Sequence, residues 1–74
     1  MKATVWSKDN CPHCVEAKKL LITKGYEVDE RKVGFNTTKE DLLAAVPTAR
    51  TVPQVFIEEQ YIGSLDNLKK HFGV

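Results

Sequence analysis

Two cysteines, Cys11 and Cys14, are the only thiols in the chain and stand together in the run Cys11-Pro12-His13-Cys14. A loop this short barely restricts an unfolded chain, so the pair reads as reactive and not as a structural staple. At the start of a helix, position i exposes its sulfur to unpaired N–H groups and the positive dipole end. Position i+3 lies one turn inward, within disulfide reach. Cys11 is therefore the expected nucleophile, helped by Lys8 and, when protonated, by His13. Cys14, facing the apolar stripe of that helix, is the expected resolving thiol. Pro12 falls at the first helical position, where its missing N–H costs nothing. His13 has two readings: a cation that stabilises the reduced form and makes the disulfide more oxidising, or a filler of an exposed slot. A structural zinc wants four N/S ligands, and only His13, inside the motif, and the distant His71 remain, so redox chemistry is favoured over metal binding.

Two further runs could serve such a pair. In Thr51-Val52-Pro53, the residue before proline is pushed to extended geometry. Either Pro53 simply opens a strand, or it sits in a cis-proline loop that leaves the Val52 N–H and C=O free for an incoming peptide backbone. In Gly63-Ser64-Leu65-Asp66, a glycine turn feeds a helix N-terminus, a general carboxylate site. Ser64 and Asp66 are equally explained as an ordinary cap and a first-turn charge. His71 is placed in the last turn of the final helix, where it suits the dipole.

The elements that must position these residues follow from periodicity. Ala3 to Ser7 reads as a buried strand, followed by the loop Lys8-Asp9-Asn10. From Cys11 the pattern turns helical, with Cys14, Ala17 and Leu21 on one stripe and Gly25 as a left-handed stop past Lys24. Tyr26 to Val33 suggests a half-exposed strand at or near a sheet edge. Thr37 with Glu40 fits a capping box for a short helix whose buried face is Leu42, Leu43 and Val46, ended by Pro47. Gln54 to Ile57 and Gln60 to Ile62, separated by Glu58-Glu59, form a tight antiparallel hairpin. Leu65, Leu68 and Phe72 then mark a closing amphipathic helix capped by Ser64. The order β-α-β-α-β-β-α demands a right-handed opening crossover with two parallel strands. It yields an α/β fold with one four-stranded mixed sheet covered by three helices.

Composition agrees with one small domain. The chain has 74 residues, 42% hydrophobic and 28% charged, too short for two domains and too apolar for disorder. Eleven basic and ten acidic residues give a net charge of +1, with no block of one sign. Nucleic acid and anionic membrane are poor partners for such a surface. No window approaches the length of an apolar membrane span, and the N-terminal run does not read as a signal peptide. A reducing cytoplasm is the expected location, because close cysteine pairs there are catalytic, redox-sensing or metal-binding.

Together these pieces resemble the dithiol class of the glutaredoxin family along nearly the whole chain. Lys8 to Cys14 matches its K-x-x-C-P-x-C. Arg50 to Ile57 (R-T-V-P-Q-V-F-I) matches its T-V-P segment, and Ile62 to Leu68 (I-G-S-L-D-N-L) is similar to its I-G-G-x-D-D-L. The resemblance implies a thioredoxin-like fold over residues 1–74 as a single domain, a cis Pro53, and glutathione as co-substrate with no metal. It assigns catalysis to Cys11 and Cys14, with Pro12 and His13 tuning their potential. Glutathione would lie across Cys11, Thr51, Val52, Pro53 and the start of the last helix. Its glycyl carboxylate falls to Lys8 and Arg50, its cysteinyl backbone to Val52, and its γ-glutamyl end to Ser64, Leu65 and Asp66. Two positions depart from the pattern. His13 replaces an aromatic residue, making C-P-H-C similar to the motif of periplasmic thiol oxidases of the same fold, and Ser64 replaces a glycine.

The implied function is a monomeric, glutathione-dependent thiol–disulfide oxidoreductase. Its partners would be glutathione and disulfide-bearing or glutathionylated proteins, with ribonucleotide reductase a candidate substrate, and neither nucleic acid nor membrane. The alternatives are a hydrogen donor recharged by thioredoxin reductase, and an iron–sulfur or metal carrier using Cys11. Pro12 argues against the carrier, because the cluster-binding members have Gly or Ser there.

Overall fold

A computed structural model describes residues 1–74. Its elements are β1 (Lys2–Ser7), α1 (Pro12–Thr23), β2 (Glu27–Lys32), α2 (Lys39–Ala45), β3 (Gln54–Ile57), β4 (Gln60–Gly63) and α3 (Leu65–Phe72). The sheet order is β2-β1-β3-β4. β1 runs parallel to β2 and antiparallel to β3, and β3 pairs with β4 as a hairpin in which Ile57 faces Gln60. The four-stranded mixed sheet with three helices is therefore the architecture expected from the period changes, with β2 at an edge.

Alternation along β1 divides the molecule into layers. Ala3 and Val5 point to the face covered by α1 and α3, where they join Ala17, Leu21, Val55, Ile57, Leu65 and Leu68 in the core. Trp6 is displaced by one residue, so it points to the opposite face, where Ala44 and Ala45 of α2 line the same recess. Ser7, at the end of β1, returns to the α1 face and is fully buried.

Local signals explain the boundaries. Asn10 adopts φ 56, a left-handed turn that asparagine tolerates well, and swings the chain from β1 into α1. Cys11 is the N-cap and Pro12 opens the helix. At the other end Gly25 takes φ 88, and its N–H reaches the Ile22 carbonyl at 3.0 Å, closing the last turn.

The start of α2 differs from the expected capping box. Thr38, not Thr37, is the N-cap: its Oγ1 accepts from the Asp41 N–H at 3.2 Å, and Asp41 Oδ2 accepts from the Thr38 N–H at 3.0 Å. The run Thr37-Thr38-Lys39-Glu40-Asp41 contains two overlapping boxes. The backbone decides between them. The Thr37 carbonyl accepts from Gly34 N–H at 2.9 Å and Thr37 bridges to Val33, so Thr37 closes the preceding loop and the helix starts one residue later. Leu42 and Val46 still become its buried positions.

Candidate active site

The cysteine turn comes directly off β1 and sits at the N-terminal end of α1. Cys11 and Cys14 form a disulfide, with Cα atoms 5.3 Å apart. Their environments are unequal, as their positions on the helix dictate. Cys11 is partly exposed, whereas Cys14 is only 2% exposed and lies on the inward stripe with Ala17 and Leu21. Cys11 Sγ accepts the Cys14 N–H at 3.2 Å. A negative sulfur at that position meets a backbone donor already in place, which favours the thiolate of Cys11 over that of Cys14.

Across from Cys11 lies the Thr51–Pro53 segment. The Val52–Pro53 peptide is cis, and the Val52 carbonyl oxygen is 3.9 Å from Cys11 Sγ. Nothing in the motif spacing marks Gln54, yet it ties this segment to the sheet. Buried at 6% exposure, its Nε2 donates to the Thr51 carbonyl at 2.8 Å, and its Oε1 accepts from the Tyr61 hydroxyl at 2.6 Å.

The third run forms the far wall. Gly63 takes φ 121, and a Cβ there would meet Asn67 Oδ1 at 2.8 Å, so glycine alone fits at the end of β4. Ser64 is the N-cap of α3, as expected, but its hydroxyl donates to Asn67 Oδ1 at 2.8 Å and its N–H reaches the same oxygen at 3.2 Å. The capping partner is thus Asn67, three residues on.

Three recesses lie at or near the disulfide, and one of them is lined by both cysteines. A groove of about 270 Å³ is lined by His13, Thr51, Val52, Pro53, Ser64, Leu65 and Asp66. Beyond the Thr51–Val52 wall, a second recess of about 340 Å³ brings Lys8 and Arg50 together with Lys39 over a floor that includes Val33, Leu42 and Leu43. The third, about 420 Å³, lies on the other side of the disulfide and holds both cysteines with Lys8, Asp9, Lys18, Glu30 and Lys32. Every residue assigned to catalysis or to glutathione therefore borders one of these spaces, whereas Gly63 and His71 do not, His71 being exposed at the C-terminal end of α3. Lys39 and Glu30 join them without any motif signal. For Glu30 the only cue is its period-two position after Val28 on β2.

Glu30 is the electrostatic outlier. The Ser7 hydroxyl donates to its Oε2 at 2.7 Å and Lys18 Nζ reaches the same oxygen at 3.0 Å. The hydrogen bond from Ser7 contributes most to holding the carboxyl below its usual range. Partial burial opposes it, and Lys18 and Lys32 add further lowering. No three His, Cys, Asp or Glu side chains gather in a metal-holding cluster.

A Cys-x-x-Cys disulfide at the strand-to-helix turn of a thioredoxin-like fold defines a thiol–disulfide oxidoreductase. Comparison with known proteins narrows the class. The Glutaredoxin family model matches residues 3–62. Glutaredoxin 3 of Escherichia coli K12 is 38% identical over 64 residues, covering 86% of this chain and 77% of that protein. The hybrid peroxiredoxin hyPrx5 of Haemophilus influenzae is 41% identical over 69 residues, which are 93% of this chain and 28% of that one. Among solved structures, reduced Escherichia coli glutaredoxin superposes with a TM-score of 0.80 at 29% identity, covering 99% and 94% of the two chains. The chain belongs to the glutaredoxin family.

Proposed function

We propose that the protein is a glutathione-dependent disulfide reductase that acts on protein disulfides and glutathione mixed disulfides. One observation carries the reading: the polarity of the two recesses that share Thr51 and Val52, whose Val52 carbonyl lies 3.9 Å from Cys11 Sγ. Lys8, Lys39 and Arg50 gather at one end, Val52 stands in the middle, and Leu65 and Asp66 stand at the other. Glutathione has a carboxylate at its glycyl end and an ammonium beside its γ-glutamyl carboxylate. Laid with the glycyl end on the cations, it brings its ammonium to Asp66, its γ-glutamyl carboxylate to the N-terminus of α3, and its sulfur to Cys11. Laid the other way, the ammonium would face three cations. Lys39 extends the expected pair of cations to three.

In the proposed cycle the Cys11 thiolate attacks a substrate disulfide or glutathionylated thiol, and the substrate thiolate leaves. Cys14 resolves a protein mixed disulfide by attacking Cys11, giving the Cys11–Cys14 bond. One glutathione thiolate then opens that bond at Cys11, with Cys14 leaving as thiolate, and a second attacks the bound glutathione sulfur, forming oxidised glutathione and releasing the Cys11 thiolate. His13, on the wall of the groove, tunes the potential. The cytoplasm is the fitting location, and no helix is long and apolar enough to cross a membrane. The test is equilibration of the purified disulfide with glutathione buffers, followed by turnover of a glutathionylated peptide with glutathione or thioredoxin reductase as electron source. Turnover with glutathione supports the reading. Turnover only with the reductase overturns it in favour of a reductase-recharged hydrogen donor.

A further inference from the structure

We propose that the Lys18–Glu30 pair is a charge regulator of the resolving thiol, its ammonium favouring the Cys14 thiolate and its carboxylate opposing it. The inference rests on thiol–disulfide exchange at Cys11–Cys14, and it concerns the recess that the glutathione reading leaves unused. That recess, of about 420 Å³, is lined by Cys11 and Cys14 and by both members of the pair.

Exchange makes a demand on Cys14 that its position does not meet alone. When an incoming thiolate attacks Cys11 Sγ, the bond between the two sulfurs breaks and the electron pair stays on Cys14 Sγ. That sulfur then takes up one proton from solvent. In the reverse direction the Cys14 thiol must release its proton before its sulfur attacks a Cys11 mixed disulfide and expels the bound thiolate. Cys14 is only 2% exposed, so water stabilises the charged sulfur poorly and burial favours the protonated form. A cation in the shared recess counters that bias.

Lys18 is the cation placed to do so. It stands four residues after Cys14 on α1, hence on the same helix face. Its ammonium is held at 3.0 Å by Glu30 Oε2, and Glu30 is fixed in turn by the hydroxyl of fully buried Ser7 at 2.7 Å. Other charges facing the recess are committed elsewhere or remote. Lys32 of β2 is drawn to Asp9 at 3.4 Å, in the loop before α1, and Asp9 is itself 81% exposed. Lys8 also borders the Arg50 recess, and neither β1 nor α3 lends a side chain to the lining. His13 borders the groove with Asp66. Glu30 therefore acts twice: it positions the Lys18 ammonium and partly cancels its field at Cys14.

The two charges have opposite signs, so their removal must shift Cys14 in opposite directions. A merely structural ion pair tying α1 to β2 would make both removals act alike. In a Cys11→Ser background, the Cys14 thiol is titrated by its thiolate ultraviolet absorbance, alone and with Glu30→Gln, Lys18→Gln or Lys18→Arg added. The expected result is a fall in the Cys14 pKa by about half a unit for Glu30→Gln, a comparable rise for Lys18→Gln, and little change for Lys18→Arg. In the two-cysteine protein, closure of the Cys11–glutathione mixed disulfide near neutral pH should quicken roughly twofold in Glu30→Gln and slow roughly twofold in Lys18→Gln, the change in thiolate fraction outweighing the opposite change in nucleophilicity. Shifts of the same sign, or none, overturn the proposal. Glu30→Gln keeps an oxygen acceptor for Ser7 and so decides the sign even where a Lys18 variant melts early. The titration needs no turnover, so failure of the glutathione reading would show in the closure assay while leaving this result standing.

Discussion

Gln54 offers the sharpest test of how the sheet presents the Thr51–Val52 wall of the proposed glutathione site. Its amide makes two hydrogen bonds, to the Thr51 carbonyl at 2.8 Å and from the Tyr61 hydroxyl at 2.6 Å, and the residue is 6% exposed. Each bond contributes about 1 kcal/mol net, so Gln54→Ala should cost about 2 kcal/mol before any loss of packing. In a domain of this size each kcal/mol moves the melting temperature by roughly 4–8 °C. Tyr61→Phe removes only the outer bond, at about half the cost or less, because Tyr61 is 48% exposed and water replaces its partner. The functional effect should split further. Gln54→Ala frees Thr51 and Val52, which form the wall shared by the two recesses proposed to hold glutathione, so KM for glutathione should rise several-fold. The Cys11 titration should stay unchanged, since its backbone donor comes from Cys14 on α1. Melting curves and steady-state kinetics of the two variants side by side decide the matter. If Gln54→Ala melts earlier but keeps its KM, or if Tyr61→Phe raises KM as much, Gln54 does not position the wall.

Other outcomes follow from the same geometry. Cys11→Ser should abolish all exchange, whereas Cys14→Ser should retain turnover of small glutathione mixed disulfides and trap protein substrates. Equal loss in both variants on a small glutathionylated substrate contradicts the assigned roles. Lys8→Ala should raise the glutathione requirement a few-fold and flatten its salt dependence, since exposed cations contribute at most about 1 kcal/mol each. An unchanged requirement removes Lys8 from the carboxylate site. His13→Tyr should make the potential more negative, with a larger shift in mild acid than at alkaline pH. Coincident potentials across that range would reduce His13 to a filler. Glu30 is held below the usual carboxylate range, so the stability it contributes is present above its unfolded value and is lost as pH falls through the folded one. Acid melts from about pH 5 to about pH 3 should therefore destabilise Glu30→Gln less than the parent protein, and parallel loss in both would refute the linkage.

Period and punctuation carried most of the fold because each element buries one simple face. The stripe Cys14, Ala17, Leu21 and the pair Leu65, Leu68 are the buried residues of α1 and α3, and the Glu58-Glu59 turn joins β3 to β4. The capping box of α2 was ambiguous because adjacent Thr37 and Thr38 precede adjacent Glu40 and Asp41, and only the loop closure at Thr37 separates the two choices. The cis state of Pro53 came through family resemblance and not from the local residues, whose types fit a plain strand start equally well. Gln54, Lys39 and Glu30 were illegible for another reason. Each acts through a partner distant in the chain or across a recess, and single-residue types at those positions read as ordinary polar surface.

That hidden layer changes what the net charge of +1 means. In the recess that holds both cysteines, Lys18 is matched by Glu30 and Lys32 by Asp9, while Lys8 is shared with the Arg50 recess. On the opposite side Lys8, Lys39 and Arg50 converge on one recess, and none has an acidic partner. A nearly neutral protein thus holds a local excess of three positive charges beyond the Thr51–Val52 wall and a compensated Lys18–Glu30 pair in the recess that holds its two sulfurs. An anionic thiol approaching at low salt is drawn to the Cys11 side, and that pull fades as ionic strength shortens the screening length toward about 8 Å. The Lys18–Glu30 pair stands at 3.0 Å, well inside the screening length, so salt weakens it less. The two sulfurs are thereby set by two electrostatic regimes, and ionic strength separates them: rising salt should slow attack of glutathione on the Cys11–Cys14 bond well before it alters closure by Cys14.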